Sequence, residues 1–417
     1  MHTPLKILCV GSRVPYPVRD GGNVRAYGCL RELGRRHEVW YLCRADAPRP
    51  DAEQHLRAFC RVVEIVADPV RLTWTGRLRA LAGRYPFGVI TPADAFFQRF
   101  RAVLGQQRFD LIYPVGADAA LLAAEAVAAT AVVWDLCDCT SRYYERQARG
   151  AGSPWRAWWY RTQSSRYRRL EQDLLQRDLA VLVASPSEAQ ALRGAAGSGP
   201  GRITVLPTGV GPAPPAAPHD GPARLAFLGT LGYPPNADAV LHFCREVLPR
   251  VQREHPDVRF QIIGDGASSE LSSACRAVPG VEFLGFVPDV PEVLGRATVF
   301  VCPMRQGTGI KVKLLEAMAC GLPIVASPVA VEGVPEARDG HHLRIATSAD
   351  DFSRRIVELL RDAPRRKELG DRARELAARY TWDRLGERLD GVCRDEAARR
   401  RGGGADQELG ACPGPVR

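Results

Sequence analysis

Short unbroken apolar runs alternate along this chain with longer stretches whose apolar positions recur every three or four residues. The first run, "KILCVG", leads into a loop and then a helical pattern after Gly21–Gly22, with Tyr27, Leu30 and Leu33 on one face. "EVWYLCR" is the next strand, followed later by "FDLIYPVG", "AVVWDLCD", "LAVLVAS" and "ITVLPTGV". Apolar runs without alternation suit strands covered on both faces, and the strand–helix alternation predicts a doubly wound α/β domain. Ser185, with Glu188 three residues on, predicts a capped helix start. Residues 210–223, "VGPAPPAAPHDGPA", lack any period and read as a linker. The same alternation resumes with "RLAFLGT", "RFQIIGDG", "VEFLGFV", "TVFVCPM" and "LPIVASP". The expected organisation is a Rossmann-like domain over 1–209, the linker 210–223 and a second Rossmann-like domain over 224–380. A C-terminal helix follows over 381–398, free to cross back to the first domain, and then a disordered tail over 399–417. Two such domains face each other across a cleft at the carboxyl ends of their strands, where ligands bind in this architecture.

A chain of 417 residues exceeds one compact core, in keeping with two domains. It has no apolar run of the ~18–20 residues that span a bilayer, and its start lacks a signal-peptide pattern, so a cytoplasmic protein is expected. The twelve cysteines fall mainly inside apolar strands and helical patterns, as buried small hydrophobes do. Cys137 and Cys139 form a CxC without a second pair, and the eight histidines form no HExxH array, so no metal site is expected. The net charge of +10 lies wholly in residues 1–210, which hold 29 basic and 19 acidic residues against 28 and 28 in the remainder. The two halves therefore meet different partners.

The stretch "GTGIKVKLLEAMACGLPIVAS", Gly307 to Ser327, carries the most chemistry. Two of the chain's four lysines, Lys311 and Lys313, stand in it, against fifty-three arginines elsewhere. Gly307 and Gly309 permit a tight turn and close ligand approach, and the free N–H groups of a following helix suit a phosphate. Glu316 would then lie about 10 Å along that helix from Gly309, the span of a nucleoside diphosphate with its ribose diol at the carboxylate. The alternative is an i, i+3 pair between Lys313 and Glu316 on a solvated face. The stretch is not a Walker loop, which needs GxxxxGK and Ser or Thr.

With "IIGDG" and "LGFVPDV" before it and "EGVPEARDG" after it, this stretch resembles the nucleotide-sugar half of retaining GT-B glycosyltransferases of family 4, the glycogen synthase/sucrose synthase-like group. "RVPYPVRDGG" and "YTWDRLGERL" extend the likeness over nearly the whole chain, and "GTLGYPPNADAV" is similar to sugar transferases of exopolysaccharide and exosortase clusters. The resemblance implies a GT-B fold and sugar transfer with retention by front-face attack, the donor phosphate helping to deprotonate the acceptor. It implies Glu316 at the ribose, amides near Gly309 and Ile310 at the diphosphate, Phe286 and Val287 beside the base, and Gly21–Gly22 approaching the diphosphate. Thr308 stands where the family has a second carboxylate. Thr230 and Asn236 stand where an Arg and a Lys brace the phosphates, so Lys311 or Lys313 is the expected replacement. Asp135 and Asp138, at a strand end facing the cleft, are candidates to orient the acceptor hydroxyl; capping the next helix is the alternative. No cofactor is expected. The donor is a UDP- or GDP-sugar and the acceptor a saccharide or a lipid-linked one.

Residues 141–171 hold eight arginines, three tryptophans and four tyrosines. Arginines over aromatics suit an anionic membrane surface, which would place the protein at the inner face of the membrane; the alternative is that these aromatics are core. Nucleic acid is not an expected partner, because no motif for it accompanies the patch. The competing functions are a nucleotide-sugar 2-epimerase on the same fold and a non-enzymatic basic binding protein. "CVGSRVPYPVRDGG" lacks the GxGxxG of a dehydrogenase.

Overall fold

The computed structural model describes residues 3–68, 86–196, 199–215 and 221–403. Strands β1 (Lys6–Gly11), β2 (Glu38–Ala45), β3 (Val62–Ala67), β4 (Leu111–Val115), β5 (Ala131–Cys137), β6 (Ala180–Val183) and β7 (Arg202–Val205) form one parallel sheet, in the order β3-β2-β1-β4-β5-β6-β7. Ile7 of β1 pairs with Val39 on one side and Leu111 on the other. The second sheet, also parallel, has the order β10-β9-β8-β11-β12-β13. Its strands are β8 (Arg224–Leu228), β9 (Arg259–Ile263), β10 (Val281–Gly285), β11 (Val299–Cys302), β12 (Ile324–Ala326) and β13 (Arg344–Ile345). The central strands are buried along their length because helices cover both faces, which is why they read as continuous apolar runs.

The chain passes between the domains twice, and the two crossings pair. Val210 N–H donates to Tyr380 O at 2.9 Å, and Trp382 N–H donates to Val210 O at 3.3 Å. The start of the expected linker is therefore buried rather than loose; its residues 216–220 lie outside the described residues. After the second crossing the helix Trp382–Gly403 lies against the first sheet. Trp382, Leu385, Leu389, Cys393 and Ala397, at helical spacing, join the core formed by β1, β2 and the helix Gly21–Gly34. A Cβ at Gly28 or Gly209 would overlap the Trp382 indole. The tail expected to be disordered from residue 399 is helical as far as Gly403, because Arg399 still pairs with Asp178 and Glu396. Residues 404–417 lie outside the described residues.

Candidate functional site

Each sheet reverses its strand order beside its first strand, β1 between β2 and β4, and β8 between β9 and β11. Loops leaving the carboxyl ends there diverge and open a crevice. In the second domain the loop after β11 is the glycine–lysine stretch. Its helix begins at Val312, not near Gly309, with Lys311 in extended conformation as the capping residue. Glu316 therefore stands about 6 Å along the helix from its first residue, and the 307–311 segment is free to wrap across the helix end.

The two lysines have different tasks. Lys311 is buried and folds back on its own loop, donating to Thr308 O at 2.8 Å and Gly309 O at 3.0 Å. Burial lowers its pKa, while Asp138 and Glu332 act to raise it. Lys313 reaches across to the first turn of the helix Pro234–His242, where its ammonium donates to Asn236 Oδ1 at 2.6 Å and lies 4.4 Å from the Phe227 ring centroid. A Cβ at Gly229 would stand 2.6 Å from that ammonium. Asn236 in turn donates to Thr230 O at 2.8 Å, so Lys313 brings a cation to the point where the loop after β8 enters that helix. Its closest hydrogen-bonding partner is a neutral amide, and burial lowers its pKa to about 8. The expected alternative, an ion pair with Glu316, is not formed among the described residues. Glu316 is partly buried, and burial pushes its carboxyl up to about 7 with only the Lys313 charge opposing. Both charged groups are thus held on the crevice without an opposite charge bonded to them.

The first domain meets this loop directly. Asp20 caps the helix Gly21–Gly34 by accepting from Asn23 N–H at 2.9 Å, which makes Gly21 the first helical residue. A Cβ at Gly21 would lie 3.4 Å from Val312 Cγ2, whereas one at Gly22 would meet only Asp20. Two helix amino ends, each electropositive, therefore converge across the cleft. Arg19 closes the rim: its carbonyl accepts from Thr230 Oγ1 at 2.9 Å, and its guanidinium lies 5.8 Å from the Phe286 centroid. Phe286 is 50% exposed at the end of β10, while Val287 packs on the second core. Ile310 packs there as well, and Thr308 is partly buried in the loop.

The two aspartates separate. Asp135 is wholly buried and bonded by Arg25 Nε at 2.8 and 2.9 Å and by Tyr113 Oη at 2.8 Å. It neither faces the cleft nor caps a helix, so its candidacy as an acceptor-orienting residue is corrected: it ties the helix Gly21–Gly34 to β5. Asp138 follows a break in the ladder between Asp135 and Cys137, where Cys137 takes a φ of 67°. That left-handed residue turns Asp138 toward the second domain. Gly309, at φ 65°, lies so close that a Cβ there would overlap the Asp138 carboxylate. Asp138 Oδ1 is out of water and has no hydrogen-bond partner in the described structure. Burial, and then the Glu188 carboxylate, push its pKa up to about 6 against the pull of Lys311.

Several residues at this interface drew no site role from the sequence. Glu332, in "EGVPEA", accepts from Arg142 Nη2 at 2.6 Å and from Arg146 Nη1 and Nη2 at 2.9 and 2.7 Å. Arg146 also bonds the Gly307 carbonyl, so the arginines of the helix Thr140–Arg149 grip the glycine–lysine loop. Glu188 does not complete a capping box; it accepts from Cys139 N–H at 2.7 Å and from Arg142 at 3.0 Å. The partner that takes Arg142 across the cleft, Glu332, is 190 residues away, and the linear sequence carries no mark of that pairing.

The profile of a glycosyl transferase 4-like domain matches residues 20–209, and that of glycosyl transferases group 1 matches residues 222–362. The chain belongs to the family-4-type glycosyltransferases of GT-B fold. It is similar to a phosphatidyl-myo-inositol mannosyltransferase of Propionibacterium freudenreichii, 34% identical over 171 residues, 40% of this chain and 42% of that one. It is also similar to a D-inositol 3-phosphate glycosyltransferase of Stackebrandtia nassauensis, 29% identical over 55% of this chain and 57% of the other. The chain thus spans about half the length of the curated relatives it matches. The crystal structure of Anabaena HepE with UDP-glucose superposes over 94% of this chain and 100% of its own, with a TM-score of 0.69 at 16% identity. Sucrose-phosphate synthase of Thermosynechococcus elongatus gives the same TM-score and coverage at 17% identity. Both share the fold of this chain.

Proposed function

We propose that the protein transfers a sugar, with retention, from a UDP- or GDP-sugar to a saccharide or lipid-linked acceptor in exopolysaccharide or other cell-surface glycan synthesis. The observation that carries this reading is the pair of unmatched charges on one crevice, Lys313 held by a neutral amide and Glu316 without a bonded partner. A nucleoside diphosphate laid along the helix Val312–Ala319 satisfies both. Its phosphates meet Lys313 and the free N–H groups of the helix start, and its ribose diol donates to Glu316. Phe286 offers a ring for the base. Asp138, held near neutrality on the opposite wall, is suited to orient the acceptor hydroxyl. No metal is assigned a part, because the helix end and Lys313 offset the diphosphate charge. Similar proteins support a nucleotide donor: the HepE structure is a complex with UDP-glucose, and a mannosyltransferase of Corynebacterium glutamicum is GDP-mannose-dependent.

The test is calorimetric binding of UDP-, GDP- and ADP-sugars to the native protein and to Glu316→Gln. Two charge-assisted bonds at roughly 1.5–3 kcal/mol each predict a loss of tenfold or more. A folded Glu316→Gln protein with native affinity refutes the assignment. With acceptor supplied, proton NMR of an α-configured donor should give an α-linked product. Free nucleotide released without acceptor, together with an epimerised sugar, would support the epimerase instead.

A further inference from the structure

The basic aromatic stretch divides into two parts. Tyr144 and Tyr167 stack at 5.5 Å inside the first domain, Tyr167 being buried, and Trp159 packs edge-on to Phe87. Trp155 and Trp158 do neither. They are 66% and 45% exposed and stack on each other at 4.8 Å, with their outer faces to solvent. Both stand in the first turns of the helix Pro154–Leu175, which Ser153 caps by accepting from Arg156 N–H.

At 100° per residue, Trp155, Trp158, Arg161, Ser165 and Arg169 share an arc of about 120°. Gln163, Tyr167, Leu170 and Leu174, on the opposite face, are buried. Arg156, Arg161 and Arg169 are exposed and enter no ion pair among the described residues. The acidic residue on this face, Asp173, lies about 27 Å along the helix from Trp155. One end of the helix is therefore aromatic and cationic together. That end adjoins the cleft: a Cβ at Gly150, four residues before Pro154, would stand 3.3 Å from Gln306, next to the glycine–lysine loop.

We propose that the face bearing Trp155, Trp158, Arg161 and Arg169 docks on an anionic lipid bilayer, setting the mouth of the cleft against the membrane. Indole rings settle at the headgroup level, and guanidinium groups pair there with lipid phosphates. Each arginine near such a surface favours binding by roughly fivefold, through an attraction that fades within a Debye length. Docking depends on the transfer reading only for what would be delivered at the cleft. It is measured without donor or acceptor, so failure of one leaves the other standing.

The experiment is sedimentation of the full chain with vesicles of equimolar phosphatidylglycerol and phosphatidylcholine, with pure phosphatidylcholine as control. Binding is expected to the anionic vesicles only, falling as salt rises. Trp155→Ser with Trp158→Ser should weaken it about tenfold, and Arg161→Gln with Arg169→Gln about 25-fold, with nucleotide-sugar affinity unchanged in both. Because the four side chains are exposed, these variants should keep the native melting temperature. Should one unfold, brominated phosphatidylglycerol vesicles are added to the native protein, where docked indoles lose fluorescence. Absence of native binding, absence of quenching, or variants that bind like the native protein would each overturn the proposal. So would a native dimer that the tryptophan changes split into monomers without vesicle binding, or salt-sensitive retention on DNA without vesicle binding.

Discussion

Donor binding should depend on pH in a bell whose two limbs belong to Lys313 and Glu316. Without ligand, burial holds the Lys313 ammonium at about 8 and the Glu316 carboxyl at about 7. In the proposed binding mode the charged ammonium holds the diphosphate and the ionised carboxylate the ribose diol. Above about 8 the lysine must first take up a proton, so affinity falls by up to about tenfold for each further pH unit. Below about 7 the glutamate must first release one, and affinity falls on that side at the same limiting slope. The optimum lies between, and its narrowness follows from the two values being about one unit apart.

The variants separate the limbs. Lys313→Arg keeps the charge at all accessible pH, so the alkaline limb should disappear even though a planar guanidinium fits the Asn236 site less well. Glu316→Gln should remove the acid limb and lower the plateau. Lys313→Ala should cost roughly 1.5–3 kcal/mol, about 10- to 150-fold, against a nucleotide sugar and far less against the nucleoside. The assay is calorimetry with a nucleotide sugar, whose diphosphate diester does not titrate in this range. A flat profile across both values, or a bell that persists unchanged in both variants, refutes the reasoning. Equal losses of nucleoside and nucleotide sugar in Lys313→Ala would assign the lysine a structural task instead.

Glu316→Gln should also stabilise the unliganded protein. The native carboxyl titrates at about 7 against an ordinary 4.5, so above about 7 the folded state alone carries a desolvated charge, and below 4.5 neither state does. The gain in melting temperature should therefore appear as pH rises through that interval; a gain independent of pH contradicts it. Asp135→Asn should destabilise by about 3–5 kcal/mol in urea melts, because it strands the buried Arg25 guanidinium; a change below about 1 kcal/mol would mean that the pair is dispensable. Asp138→Asn should leave donor affinity within about threefold and reduce transfer by roughly a hundredfold, and unchanged turnover would remove it from the chemistry. Glu332→Ala removes the carboxylate that Arg142 and Arg146 share across the cleft, leaving Arg142 on Glu188 of its own domain and Arg146 on the Gly307 carbonyl, so the radius of gyration in small-angle scattering should rise and donor affinity fall; identical scattering would show that the clamp does not hold the domains.

What the sequence made legible follows from how local each signal is. Buried parallel strands announce themselves as apolar runs, so both doubly wound domains could be read. The glycine–lysine stretch could be read as well, because its parts lie within a few residues of one another. The start of its helix could not, since Lys311 turns back to its own loop carbonyls and delays the first turn to Val312. The arginines at 142 and 146 looked like surface charge because their partner, Glu332, comes from the other domain.

The pair Asp135 and Asp138 shows where sequence reasoning must stop. Three residues apart on the same strand end, they are chemically identical and were equally good candidates. In the fold one is saturated by Arg25 and Tyr113, and the other is left with an orphaned oxygen behind a left-handed cysteine. A satisfied charge holds structure together, whereas an unsatisfied one is a cost that folding alone does not explain. Lys313 and Glu316 bear the same mark on the facing wall. Their common remedy is a ligand that brings anions to the lysine and hydroxyls to the glutamate, with a second hydroxyl arriving at Asp138. In the proposed reaction a sugar nucleotide would supply the first two, and an acceptor the third.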